Sequence, residues 1–156
     1  MFSKEIVCDI IRYIDINLLS KITLEDIVKY CHYNKFYLVK LFKKEMNVSI
    51  FDYINRLKIY YSFDMLKNSD KSLTRIALEC GFYSLEYFSE IFKKIVGVSP
   101  SKYRKYINNR FDFDEDIAFL INAKILELQS LIERKLSYLN NVKPSTIPIK
   151  KLTIFK

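Results

Sequence analysis

The sequence predicts an all-α protein: two copies of one helix–turn–helix device, with an additional C-terminal helix and a short strand-like end behind them. Three observations predict it. First, 156 residues contain only 2 Gly and 3 Pro, too few breakers for a turn-dense β fold. Second, the chain repeats itself. Leu38-Val39-Lys40-Leu41-Phe42-Lys43-Lys44 is echoed by Phe88-Ser89-Glu90-Ile91-Phe92-Lys93-Lys94 at an offset of 50, which persists through Asn47/Gly97, Val48/Val98, Ser49/Ser99 and Tyr53/Tyr103. Upstream, Leu24, Ile27 and Val28 match Leu73, Ile76 and Ala77 at an offset of 49, so one residue is inserted within the second unit. Third, between the copies and again behind them, apolar residues recur every three or four positions.

In chain order, Ile6 to Ile16 reads as a first helix. The first unit, about 23–46, starts at Thr23, an N-cap with acidic Asp26 three residues on. Leu24, Ile27, Val28 and Cys31 form the apolar face of its first helix. His32-Tyr33 makes the turn, Asn34 caps the second helix, and Leu38, Leu41, Phe42 and Met46 point inward. Asn47 is a left-handed terminator. One helix over about 49–66 follows, with Phe51, Ile54, Leu57, Ile59, Tyr61 and Met65 as its apolar side. The second unit, about 72–96, has Ser72 as cap, Leu73, Ile76, Ala77 and Cys80 inward, and Gly81 in the turn. Ser84 caps its second helix and Gly97 ends it. Ser99-Pro100 then opens a short helix through about Ile107, cap and Pro at N1 in the expected order.

Composition excludes several classes. Lys and Arg total 26 against 18 Asp and Glu, a net charge of +8 and a pI near 9.3, which favours a polyanionic partner. Residues 1–110 hold 19 of the basic and 12 of the acidic side chains, so nearly all the excess lies ahead of residue 111. No run approaches the roughly 20 apolar residues needed to span a bilayer. Glu5 and Asp9 interrupt the short apolar segment at the N-terminus, which therefore does not read as a signal peptide. Cys8, Cys31 and Cys80 are odd in number and far apart, which suits buried small hydrophobes in a reducing, cytoplasmic setting. The single His lies in no nucleophilic or metal-binding constellation. No enzyme activity, metal or cofactor is expected.

The stretch from Ile22 to Arg104 resembles the DNA-binding domain of AraC/XylS-type transcription regulators. The resemblance is carried by Ile22-Thr23-Leu24-Glu25-Asp26-Ile27, Tyr37-Leu38-Val39-Lys40-Leu41-Phe42-Lys43-Lys44-Glu45 and Tyr53-Ile54-Asn55-Arg56-Leu57. Its strongest part is Ile76-Ala77, Cys80-Gly81-Phe82, Tyr87-Phe88-Ser89, Phe92-Lys93-Lys94, Gly97-Val98-Ser99-Pro100 and Tyr103-Arg104. It implies a seven-helix domain over residues 1–110 with two helix-turn-helix units on asymmetric promoter DNA, usually activating transcription. The linker helix, about 27 Å long at 1.5 Å per residue, suits two groove-reading helices about one DNA turn apart.

In a helix-turn-helix the second helix enters the major groove through its N-terminal half. That nominates Lys35, Phe36, Val39, Lys40 and, further along, Lys43. Lys40 suits guanine O6 or N7, and Phe36 or Val39 a thymine methyl. Lys35 and Lys43 suit phosphates. The second unit presents Leu85, Glu86, Ser89 and Glu90, where the resemblance implies a basic or polar residue in place of Glu90. Three readings stay open: Glu86 or Glu90 accepts from cytosine N4, the unit docks loosely with Lys93, Lys94, Lys102, Arg104 and Lys105 holding backbone, or this face meets RNA polymerase.

Residues 111–156 fall outside the resemblance. Asp112, Asp114, Glu115 and Asp116 suit a helix start, and a helix over about 117–139 carries Ala118, Ile121, Ile125, Leu128, Ile132, Lys135 and Leu139 in one stripe. That stripe serves either a homodimer through residues 117–139 or the protein's own core. Asn140 to Pro148 reads as a loop and Ile149 to Phe155 as a strand, laid out like the approach to an effector domain. No effector pocket can be read in these residues, so no small-molecule inducer is expected. The competing functional class is an interaction protein or anti-regulator, pairing through the C-terminal helix while the acidic second unit binds DNA weakly.

Overall fold

The computed structural model describes residues 2–108 and 114–143, and every regular element among them is an α-helix. Eight are present: α1 (Phe2–Asn17), α2 (Leu24–Cys31), α3 (Lys35–Met46), α4 (Ile50–Asn68), α5 (Leu73–Glu79), α6 (Leu85–Val96), α7 (Pro100–Asn108) and α8 (Glu115–Asn141). Asn140 and Asn141, expected in a loop, form the end of α8. The strand expected over 149–155 lies outside the described residues. No described helix is long and apolar enough to cross a membrane.

The helix boundaries follow from side-chain and backbone chemistry. Thr23 Oγ1 accepts from the Asp26 backbone N–H at 3.2 Å, and Asp26 Oδ2 accepts from the Thr23 N–H at 3.0 Å, a reciprocal capping box. Asn34, Ser72 and Ser84 cap α3, α5 and α6 in the same sense. His32 (φ 63°) and Asn47 (φ 60°) end α2 and α3 in the left-handed conformation. Gly97 ends α6 at φ 98°, where any Cβ would be strained by the backbone and would also stand 3.3 Å from Leu120.

The chain packs as two compact units, which divide it otherwise than its charge does: residues 2–54 with 131–143, and residues 55–108 with 114–130. In the first, α1 packs on α2 and α3. Its Val7, Ile10, Ile11 and Ile14 are fully buried, each contributing about 1.5–3 kcal/mol. Burial therefore holds this helix, since β-branched residues are middling helix formers. Phe42 meets Tyr53 edge-on at 5.1 Å. The second half of α8 completes the unit. Arg134 donates to the Met46 carbonyl at 3.2 Å, Tyr138 donates to Glu45 at 3.2 Å, and buried Lys135 pairs with Asp15.

In the second unit, Phe63, Phe88, Phe92 and Tyr103 interlock with centroid spacings of 5.2–6.0 Å. Ile121 and Leu128 of α8 are buried in the same cluster. Of the α8 stripe, Ile121, Leu128 and Lys135 are thus buried within the chain, while Ala118, Ile125, Ile132 and Leu139 stay half-buried. Ser62 sits fully buried with its hydroxyl donating to the Ile59 carbonyl at 2.6 Å. Phe51 and Tyr61, expected on the apolar side of α4, are instead 49% and 46% exposed. The buried positions are Ile50, Tyr53, Ile54 and Leu57 in the first half, then Lys58, Ile59, Ser62 and Leu66 in the second. At 100° per residue, Phe51 and Tyr61 each fall more than about a quarter turn from the centre of the nearby set.

Candidate nucleic-acid interface

The first unit fixes α3 from both ends and from beneath. Asn34 Oδ1 accepts from the N–H groups of Phe36 and Tyr37 at 2.9 and 3.4 Å. Leu38, Leu41, Phe42 and Met46 are buried below. These anchors leave Lys35, Phe36, Val39, Lys40 and Lys43 exposed, on one arc of about 140°. Phe36 is 74% exposed, with Lys35 Nζ over its ring at 5.3 Å. An apolar ring so placed beside three lysines matches the mixed demand of a groove floor: cations for phosphate and guanine, an apolar face for thymine methyls.

The same arc on α6, displaced by the offset of 50, carries Leu85, Glu86, Ser89, Glu90 and Lys93. Ser84 accepts from the Tyr87 N–H at 3.1 Å, while Phe88, Phe92, Ile95 and Val96 anchor the helix. Glu86, Glu90, Lys93 and Lys94 are exposed, and Leu85 and Ser89 half-buried. Lys102 and Lys105 are exposed on α7. The two arcs therefore have the same shape and opposite charge: three lysines on the first, two glutamates and one lysine on the second.

Arg104, expected to hold DNA backbone, is engaged elsewhere. Its Nε donates to the Leu66 carbonyl at 3.1 Å and its Nη1 to Lys71 at 2.8 Å, while Nη2 donates to Ser69 at 3.1 Å and Met65 at 3.4 Å. A guanidinium at a helix C-terminus satisfies carbonyls that have no partner within the helix. Arg104 thereby fixes the end of α4 and the approach to α5. Lys58 acts alike at the second turn, its amine donating to the Gly81 carbonyl at 2.8 Å beside the Phe82 ring, and burial lowers its pKa. The three thiols are buried, burial pushing Cys31 up to about 12 and Cys80 up to about 11.

Two aromatic pairs at the surface escaped the sequence reading: exposed Tyr33 with exposed Tyr37, and exposed Tyr83 with half-buried Tyr87. The signal was available, since both members of each pair recur at the offset of 50.

A family of helix-turn-helix domains matches residues 27–106. The regulatory protein PocR of Salmonella typhimurium is 34% identical over 98 residues, which span 63% of this chain and 32% of that protein. The HTH-type transcriptional activator AarP of Providencia stuartii is 32% identical over 103 residues, spanning 66% of this chain and 76% of AarP. Among solved structures, the C-terminal domain of the response regulator AraT from Geobacillus stearothermophilus superposes with a TM-score of 0.61 at 28% identity, covering 64% of this chain and 84% of that domain.

Proposed function

The chain belongs to the AraC-type helix-turn-helix regulators and carries their DNA-binding domain, and from that premise we propose a sequence-specific transcription activator reading two successive major-groove segments of an asymmetric promoter site. The observation that carries this reading is the exposed arc of α3, where Lys35, Phe36, Val39, Lys40 and Lys43 stand clear of a capped and buried-side-anchored helix. Lys40 reads guanine, Phe36 and Val39 meet thymine methyls, and Lys35, Lys43, Lys93, Lys94 and Lys102 take phosphates. Double-stranded DNA is the partner, RNA polymerase a second one, and the cytosol the setting. AarP is itself named an activator, which supports the sign of regulation.

The test starts from a duplex selected out of a random DNA pool. Protection of about 20 base pairs is expected, two groove segments with their flanks, and affinity falls steeply with salt. Lys40→Ala weakens binding to the selected site by about 1–3 kcal/mol more than to random duplex. Equal losses on both would make Lys40 a phosphate contact only.

A second reading rests on Glu86 and Glu90: the second unit no longer reads DNA, and the chain acts as an interaction protein. Glu90→Lys separates the two. Lost preference for the selected site supports base reading by α6, whereas stronger binding to every duplex at unchanged preference supports the rival.

A further inference from the structure

We propose that the tyrosine pairs Tyr33–Tyr37 and Tyr83–Tyr87 are uncharged clamps for the DNA sugar–phosphate backbone, one at the start of each groove-reading helix. The proposal rests on the DNA-binding reading of α3 and α6. In each unit one tyrosine stands just ahead of the N-cap and the other in the first helical turn. Tyr33 and Tyr37 lie 5.8 Å apart between centroids, and Tyr83 and Tyr87 stack at 4.9 Å with planes only 19° apart.

Aromatic contact across an N-cap ordinarily hides apolar surface and so fixes how the chain enters a helix. These rings are only partly hidden: Tyr33 is 41% exposed, Tyr37 45% and Tyr83 78%, with Tyr87 half-buried. A leucine pair would staple the turn as well, without a hydroxyl. What an exposed phenol adds is a stiff flat face with an O–H donor at its edge. The Tyr87 hydroxyl is moreover positioned: its oxygen accepts from Asn55 Nδ2 at 3.2 Å, which leaves its own proton to donate.

Those chemistries match a phosphodiester and its deoxyribose. The O–H donates to a phosphate oxygen, and the ring packs on the sugar. The location agrees, because a helix start attracts anions through its backbone N–H groups and dipole. A neutral donor is also what the second unit needs. Its arc carries Glu86 and Glu90, and Tyr83 offers attraction to phosphate at the end where α6 has no lysine.

A neutral clamp has a signature that lysines cannot imitate. Each lysine–phosphate contact releases condensed counterions and steepens the salt dependence, whereas a phenol releases none. The experiment compares the full chain with its Tyr33→Phe/Tyr83→Phe double variant, which keeps both rings and removes both hydroxyls. Dissociation constants are measured on the selected site and on random duplex between 50 and 200 mM salt. The expected result is an affinity about fivefold lower on both duplexes, at an unchanged slope of log affinity against log salt, with Lys43→Ala, at a lysine assigned to phosphate, as the control that flattens the slope. Unchanged affinity of the double variant would reduce the rings to staples and overturn the clamp alone. A loss confined to the selected site would also overturn it, as base reading. Failure of the parent chain to bind any duplex would overturn the DNA-binding reading together with it.

Discussion

At φ 63°, His32 holds the left-handed backbone that its counterpart in the second unit, Gly81, adopts at φ 89°. A side chain in that region costs about 1–2 kcal/mol, part of which a glycine returns through its freer unfolded chain. His32→Gly is therefore expected to stabilise the protein by about 0.5–1 kcal/mol, read from the urea midpoint at unchanged m-value. A destabilised variant would mean that the imidazole supports the turn. This strain was legible in the sequence, because the repeat aligned His32 with a glycine. The engagement of Arg104 was not. Its four acceptors lie 33–39 residues earlier in the chain, and nothing local to Lys102-Tyr103-Arg104 separates a guanidinium that meets carbonyls from one that meets phosphate. The exposed lysines and Phe36 were readable because a surface position on a helix follows from the period alone.

Among the elements, α2 carries a start signal whose strength depends on pH. The Thr23 backbone N–H, and then its hydroxyl, hold the Asp26 carboxyl below the ordinary carboxylate value of 3.8. A group whose pKa is lower folded than unfolded stabilises the fold above its unfolded value. That contribution is lost as pH falls through the folded one. Asp26→Asn should thus be less stable than the parent at pH 7, with the gap closing below pH 3.8. A gap that stays constant in acid would assign the effect to the amide's shape. Thr23→Ala, which removes the hydroxyl's half of the box, should cost about 0.5–2 kcal/mol in the same assay. Within the two units, starts and stops were legible because Thr, Asn, Ser and Gly announce them chemically, whereas the start of α1 and the end of α8 carry no such signal and were drawn too short. The buried side of α4 was less legible, since one stripe drawn along the whole helix puts Phe51 and Tyr61 inside, whereas its two halves bury different sets of positions.

At the scale of the whole molecule, the sequence located a boundary near Arg110, while packing draws α8 into both compact units. The ambiguity was physical, because a coiled coil and a helix lying on its own core demand the same apolar stripe. With Ile121 and Leu128 buried in one unit and Lys135 and Tyr138 in the other, removing residues 111–156 should destabilise the whole chain. Leu128→Ala alone should cost about 2–5 kcal/mol. A chain ended at residue 110 that unfolds at the same urea concentration as the parent would show α8 to be dispensable for the fold. The division also sets an order of assembly during synthesis. Residues 55–130 are contiguous and can pack as they emerge. Residues 2–54 wait for partners from 131 onward, among them the Tyr138 and Val142 carbonyls that accept from the Cys8 thiol. At about 5–20 residues per second, α1 spends several seconds with an unfinished core, because residues from 131 onward must be made before its unit can close.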